Sequence, residues 1–235
     1  MKDKGLTPQL LNDMRAEFPG VKDITLERFL KGVDYQLDKA KESLRNYQKF
    51  RAELGPINID DIMEELRQGA FYFHGETKSG NPIIVVRVGR FNPKQLSNGV
   101  DSVIKLNVWI MDKVFEKNAQ TESCSLIVDC TGLGIKQLPY EIIKSVAHMY
   151  NTYYPEVLFK EFMINTPWLF RSVWGWLQGF LEESTRKKVF LLGSDYKDTL
   201  LEYIQPQSLQ ICYGGESTFV PDRFDEESCY NWTPM

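Results

Sequence analysis

The chain has 235 residues, of which 43% are hydrophobic and 26% charged, and its formal net charge is −4. This composition predicts a globular protein with a substantial core and argues against extensive disorder. Binding to nucleic acid depends on Lys and Arg side chains that contact phosphates, so the acidic balance argues against nucleic acid as a partner.

Cysteine and histidine usage gives no sign of a metal site. The four cysteines form no CxxC pair, and His74 and His148 are the two histidines. We therefore expect no metal and no cofactor. The first residues, MKDKGLTPQLL, lack the apolar segment of a secretory signal, which predicts a cytoplasmic protein with reduced thiols.

The first part of the chain predicts helices. Thr7 and Pro8 are typical of a helix start, and Pro19-Gly20 ends that helix. Further helices are predicted at residues 24–32, 35–54 and 60–68. We therefore predict a helical N-terminal lobe over residues 1–68.

From residue 69 onwards, apolar strand-like segments alternate with helical ones. Strands are predicted at 71–75, 82–89, 125–130, 159–165 and 187–193, and helices at 100–117, 139–154, 165–181 and 198–204. The first two strands flank the turn-like KSGN and predict a hairpin. This alternation predicts an α/β lobe over residues 69–235 with a mixed, largely parallel sheet.

The segment NTPWLFRSVWGWLQGFL, residues 165–181, is the most aromatic part of the chain. Its polar residues argue against a membrane span. Thr166 and Pro167 predict a helix start, and one broad face of that helix is apolar. Gly175 and Gly179 leave the opposite face slim. The pattern fits either a core helix or a movable lid.

An enzyme is the rival hypothesis from another class. Asp129 ends a predicted strand, where α/β enzymes place catalytic acids, and Gly132-x-Gly134 follows as in a nucleotide-binding turn. Gln137 occupies the place of the third glycine, and no partner base is evident near Asp129. A plain turn is the simpler interpretation, and we predict no enzyme activity.

Several short motifs occur together in a distinctive order. They are Arg28-Phe29-Leu30, Gly80-x-Pro82-Ile83, Val128-Asp129-x-x-Gly132, Tyr153-Tyr154-Pro155-Glu156, Asn165-x-Pro167, Phe180-Leu181, Lys188-Val189-Phe190 and Tyr213-Gly214-Gly215. With this order and spacing, nearly the whole chain resembles the CRAL-TRIO lipid-binding family, which includes phosphatidylinositol/phosphatidylcholine transfer proteins and tocopherol and retinal carriers.

The resemblance implies a sheet that floors an apolar lipid pocket and a helix, the gate, that closes it. The gate falls on residues 168–181. Residues expected to line or gate the pocket are Phe162, Ile164, Phe170, Val173, Trp174, Leu177 and Leu181. Residues expected to contact a membrane are Trp176, Phe180, Arg186 and Lys187.

The resemblance also implies a headgroup site at Glu156, Thr185 and Lys188, as in inositol-lipid binders. The Arg-Lys pair of those binders is replaced by Val33 and Asp34. The Ser and Thr of choline-lipid binders are replaced by Cys124 and Leu126. Both departures leave the lipid open and favour a neutral or single-chain ligand.

The sequence therefore predicts a non-catalytic, cytoplasmic lipid-binding or lipid-transfer protein. It would hold one hydrophobic ligand, such as a phospholipid, and exchange it as a monomer during transient contact with a membrane surface. The alternative is a protein-interaction module that uses the same fold and keeps the lipid as a structural ligand.

Overall fold

The computed structural model describes residues 5–133, 139–168, 170–181 and 183–219, with the side chains at 171–173 left out. The helices in these ranges are α1 Pro8–Glu17, α2 Asp23–Gly32, α3 Leu37–Leu54, α4 Met63–Arg67, α5 Gly99–Lys117, α6 Tyr140–Tyr153, α7 Phe170–Leu177, α8 Glu183–Arg186 and α9 Lys197–Tyr203. The strands are β1 Phe71–Glu76, β2 Pro82–Arg87, β3 Cys124–Asp129, β4 Leu158–Ile164 and β5 Val189–Leu191.

The strands form one sheet in chain order, from β1 to β5. β1 and β2 are an antiparallel hairpin, whereas β2, β3, β4 and β5 pair in parallel. This arrangement confirms the predicted mixed, largely parallel sheet. The parallel pairs are possible because α5, α6 and the gate segment supply the long crossovers that such pairs require.

Both faces of the sheet are covered, which explains the nearly continuous apolar runs of β2 and β3. On one face, Ile127, Phe162 and Ile164 pack with Leu200 of α9 and with Ile204 after it. On the other face, Val128 and Met163 pack against Phe170 of α7. This second face carries the site described below.

The N-terminal helices pack on each other and on the rest of the chain. Thr7 caps α1 as predicted, since its hydroxyl accepts a hydrogen bond from the Leu10 N–H at 3.2 Å. α3 contacts α6 through the stacked rings of Phe50 and Tyr153, whose centroids lie 4.1 Å apart. α3 also pairs with α5 through Arg51 and Asp112.

The predicted start of the gate helix is wrong. Pro167 and Trp168 lie outside the helix, and the described part of α7 starts at Phe170. The Thr166 hydroxyl donates to the Leu192 carbonyl at 2.7 Å. Thr166 therefore links the residues that directly follow β4 and β5. Across the described ranges, we find no helix that combines the length and apolar character of a membrane span.

Candidate functional site

A cavity of about 400 Å³ lies between the sheet and helices α5, α6 and α7. Its floor includes Leu126, Val128 and Met163, and its walls include Ile110 of α5 and Ile143 of α6. Further lining residues, all apolar, are Ile84, Val86, Met111, Ile142, Val146, Ala147, Phe170, Trp174, Leu177 and Leu181. This size and lining are typical of a site for a small hydrophobic molecule.

Four of the side chains that the sequence predicts to line or gate the pocket lie beside this cavity, and their role as a gate stays a prediction. Phe170, Trp174, Leu177 and Leu181 all line the cavity. The side chain of Val173 lies outside the described part of the chain. The apolar face of α7 therefore has a physical role: it covers the cavity.

The predicted pocket positions Phe162 and Ile164 are wrong. Both are fully buried on the opposite face of the sheet, where Phe162 stacks on Phe190. Since side chains alternate along a strand, the residues on either side of Phe162 that reach the cavity are Glu161 and Met163. Leu158, at the start of β4, also lines it.

The mouth of the cavity holds the three predicted headgroup residues, Glu156, Thr185 and Lys188. Lys188 Nζ lies 3.2 Å from Glu156 Oε2. Lys31, which sequence reasoning missed, approaches the same oxygen at 3.0 Å. Lys31 directly follows the Arg-Phe-Leu motif, and this position could have marked it as a candidate headgroup residue. Its pairing with Glu156 joins residues 125 positions apart and is visible only in the folded structure.

Electrostatics at the mouth keep Glu156 charged. Burial alone would raise the pKa of Glu156, but the hydrogen bonds and charges of Lys31 and Lys188 outweigh it and hold the pKa below its ordinary value. Lys31 remains mostly exposed. The mouth thus presents two ammonium groups around one carboxylate, with the Thr185 side chain beside them.

The floor includes the two positions that the resemblance assigns to choline-lipid recognition. Cys124 and Leu126 both line the cavity, so no hydroxyl occupies those two positions. Burial raises the pKa of the Cys124 thiol to about 12, and the thiol therefore stays neutral. Val33 and Asp34, the replaced Arg-Lys pair, are not among the described residues that line the cavity.

The gate is held to α6 by two contacts. The Asn151 side-chain amide donates to the Phe180 carbonyl at 2.5 Å. Trp176 packs edge-on against Tyr140 of α6, with ring centroids 4.7 Å apart. Phe180, predicted as a membrane contact, lines the cavity with its side chain.

The outer surface of the gate carries exposed aromatic rings. Trp176 is 44% exposed and Trp168, which was not predicted as a surface contact, is 81% exposed. Arg186 and Lys187 are exposed nearby, and Lys187 pairs with Glu183 at 2.8 Å. Aromatic rings beside cations are typical of surfaces that meet a lipid headgroup layer.

Asp129, the candidate catalytic acid of the enzyme hypothesis, makes structural hydrogen bonds with both of its carboxylate oxygens. Its Oδ1 accepts hydrogen bonds from the Thr131 N–H and hydroxyl and from the Asn165 amide. Its Oδ2 accepts one from the Tyr213 hydroxyl at 3.2 Å. These bonds join the ends of β3 and β4 to the C-terminal segment, which fits the simpler interpretation of a turn.

The model of the CRAL/TRIO domain family matches residues 66–215, which include the whole sheet, the cavity floor and the gate. The chain belongs to the CRAL/TRIO family. This membership confirms the resemblance that the motifs indicated.

Relatives within the CRAL/TRIO family include the Sec14 cytosolic factor of Schizosaccharomyces pombe, 29% identical over 82% of this chain and 74% of that protein. Another is the phosphatidylinositol/phosphatidylcholine transfer protein SFH11 of Arabidopsis thaliana, 28% identical over 83% of this chain. The chain spans 57% of the length of SFH11, so that relative extends well beyond the shared part.

A solved structure shares this fold. The crystal structure of Sfh5 matches with a TM-score of 0.67 at 18% identity, over 83% of this chain and 72% of that one. At this identity the match shows the shared fold alone.

Proposed function

We propose that the protein binds one hydrophobic lipid in the cavity and transfers it between membranes, without catalysing a reaction. The observation that carries the proposal is the gate. Phe170, Trp174 and Leu177 line the cavity from one side, while Trp176 is exposed on the other. When the gate opens, its apolar side chains leave the cavity, and contact with the bilayer buries them again. Burial in the bilayer would therefore offset the free-energy cost of exposing them.

The mouth supports a ligand with an anionic or strongly polar headgroup. Lys31 and Lys188 both lie within 3.2 Å of Glu156, and a phosphate could replace that carboxylate as their partner. Thr185 would supply a hydroxyl to the same group. The names of the relatives that mention phosphatidylinositol and phosphatidylcholine agree with such a ligand.

The exposed side of the gate supports transient membrane contact by a monomer. Trp168 and Trp176 would enter the interface, and Arg186 would approach lipid phosphates. This peripheral mode of attachment fits a cytoplasmic protein that meets a membrane only during exchange.

The proposal is tested by identifying the ligand and then measuring its movement. The full chain is purified, its lipid is extracted and identified by mass spectrometry, and transfer is measured between donor and acceptor vesicles. We expect one lipid per chain and a transfer rate that rises with protein concentration.

A matched variant links transfer to the cavity. Leu177→Trp would fill the space beneath the gate and should abolish both occupancy and transfer, whereas Ile211→Trp, at an exposed site elsewhere, should change neither. A purified chain that holds no lipid and moves none between vesicles would overturn the proposed function.

A further inference from the structure

Glu161 is the one carboxyl group on the floor of the cavity among the residues that the structure describes. It lies on β4 in register with Leu126 of β3 and Val189 of β5. Its neighbour on the same face of β4 is Met163. The carboxyl therefore enters the cavity from an apolar floor.

Three polar side chains on the helical walls of the cavity, Asn107, Tyr150 and Asn151, have partners. The Tyr150 hydroxyl donates to Asn107 Oδ1 at 3.1 Å, and the Asn107 amide donates to the Val103 carbonyl at 2.8 Å. Asn151 donates to the Phe180 carbonyl. These bonds occupy the Tyr150 hydroxyl proton and the amide groups of Asn107 and Asn151 that donate or accept in them.

The Glu161 carboxyl differs, since no side-chain hydrogen bond or ion pair reaches it from the described part of the chain. Its backbone N–H donates to the Lys188 carbonyl, but the Lys188 ammonium pairs with Glu156 instead. The side chain keeps some accessible surface, and this surface faces the cavity. A buried carboxyl without a partner is costly, so a bound group that satisfied it would be favoured.

A hydroxyl is the group best suited to this position. Burial raises the pKa of Glu161 to about 7, so both protonation states are populated near neutral pH. A hydroxyl can donate to the carboxylate and can accept from the carboxylic acid. Three titratable groups interact electrostatically with Glu161, namely Tyr150, Cys124 and Cys130. All three stay neutral because burial raises their pKa values.

We propose that Glu161 binds a hydroxyl on the hydrophobic body of the ligand, so that the cavity selects lipid alcohols over their apolar counterparts. The inference rests on the proposed function, because it requires a ligand in the cavity. It adds a second polar contact, on the floor, to the headgroup contacts at the mouth.

The experiment offers the protein two probes that differ in one hydrogen-bond donor. The full chain is incubated with phosphatidylcholine vesicles that contain equal amounts of 1-octadecanol and octadecyl methyl ether, then repurified. Bound lipid is quantified by mass spectrometry. We expect the alcohol to exceed the ether about tenfold, as a hydrogen bond to a charged or buried partner provides.

Variants test whether the preference for the alcohol depends on Glu161. Glu161→Leu should bind both probes equally, whereas Glu161→Gln should keep a preference because its amide oxygen still accepts. Glu53→Leu removes an exposed carboxyl group of α3 that is not among the cavity residues, and it should keep the wild-type ratio. Circular dichroism shows that each variant is folded before its ratio is measured.

The outcomes separate this inference from the proposed function. Equal uptake of alcohol and ether by the wild type, or a preference that survives in Glu161→Leu, would overturn the role of Glu161 while leaving lipid binding intact. Preferential uptake of octadecylamine in a third arm would overturn the hydroxyl and assign an ammonium instead. A protein that takes up neither the probes nor the vesicle lipid contradicts the proposed function itself.

Discussion

The buried Glu161 lowers the free energy of unfolding by an amount that can be measured without a ligand. Its folded-state pKa is about 7, against an ordinary value of 4.5, because burial disfavours the charge. Below pH 4.5 both the folded and the unfolded chain hold the proton. Between pH 4.5 and 7 the unfolded chain releases it first, so the free energy of unfolding falls as pH rises.

We therefore expect Glu161→Leu to be more stable than the lipid-free wild type at pH 8, by on the order of 2 kcal/mol. Water in the cavity keeps this figure below the full value of the pKa shift. The difference should shrink towards pH 4.5. Urea denaturation at a series of pH values measures it, and parallel stability curves for the two proteins would contradict the prediction.

The errors at Phe162 and Ile164 show what alternation along a strand cannot reveal. In FKEFMIN the charged residues Lys160 and Glu161 are adjacent, so the strand shows no alternation that marks one face as polar. In a parallel sheet both faces are buried, so either side could meet the cavity. The choice depends on α9, whose packing against Phe162 and Ile164 is a long-range contact.

At the scale of elements, the glycines of the gate are unconstrained by packing. A Cβ atom added to Gly175 or Gly179 would have nothing within 4 Å, so neither glycine is required for a close contact. Gly175, inside α7, lowers helix stability by about 1 kcal/mol relative to alanine, and Gly179 lies in the single 3-10 turn that follows. The pair therefore keeps the gate easy to unwind.

We expect Gly175→Ala with Gly179→Ala to slow lipid transfer several-fold, because alanine stabilises the helical backbone of the closed gate. Equilibrium occupancy should stay unchanged. Vesicle transfer kinetics and extracted lipid measure the two quantities. Gly5→Ala, which also meets open space, is the control. Transfer at the wild-type rate would show that opening needs no change in the gate backbone.

The exposed rings of the gate give a separate prediction. Trp168→Ser and Trp176→Ser should each weaken vesicle binding several-fold, because indole rings favour the membrane interface. The melting temperature should change little for Trp168→Ser, since that ring is 81% exposed, whereas Trp176→Ser also removes the packing against Tyr140. Ile211→Ser removes an exposed apolar side chain elsewhere and should leave binding intact. Co-sedimentation with vesicles measures the effect, and unchanged binding would leave these rings with a packing role.

The elements themselves were largely predictable, because periodicity and turn residues are local signals. The gate helix was the exception at its start. Thr166 and Pro167 have the right chemistry for a cap, but the Thr166 hydroxyl bonds to Leu192, 26 residues later. The local preference of Thr166 and Pro167 for a helix start is therefore overridden by a long-range contact, which the sequence alone does not reveal.

At the scale of the whole molecule, a buried ion pair joins the N-terminal helices to the sheet. Arg28 Nε lies 3.2 Å from Glu122 Oε2, which precedes β3, and Arg28 Nη1 donates to the Pro155 carbonyl before β4. Thr25 donates a further hydrogen bond to Glu122. The motif Arg28-Phe29-Leu30 thus fixes α2 beside the starts of two strands.

We expect Glu122→Gln and Arg28→Met each to destabilise the fold by about 3–5 kcal/mol, since each leaves a charged or polar partner buried alone. The double variant should recover part of the loss. Chemical denaturation of the four proteins gives the coupling free energy. Additive losses would mean that the two side chains act independently.

The division of the chain between residues 68 and 69 stays a prediction. One apolar cluster runs across it and joins Ile62 and Leu66 to Ile84 and Leu106. Sequence composition marks the change from helices to strands at this point. It does not show whether the two parts share a core, because that depends on contacts between distant segments.

The placement of the indole rings gives the protein an optical reporter of its own filling. Trp174 lines the cavity, whereas Trp168 is almost fully in solvent and Trp109 lies in the core. A lipid with a brominated chain would quench Trp174 from inside, while an aqueous quencher such as iodide would reach Trp168 and the partly exposed Trp176. Entry of the ligand and movement of the gate can therefore be followed as separate emission signals, without attaching a dye.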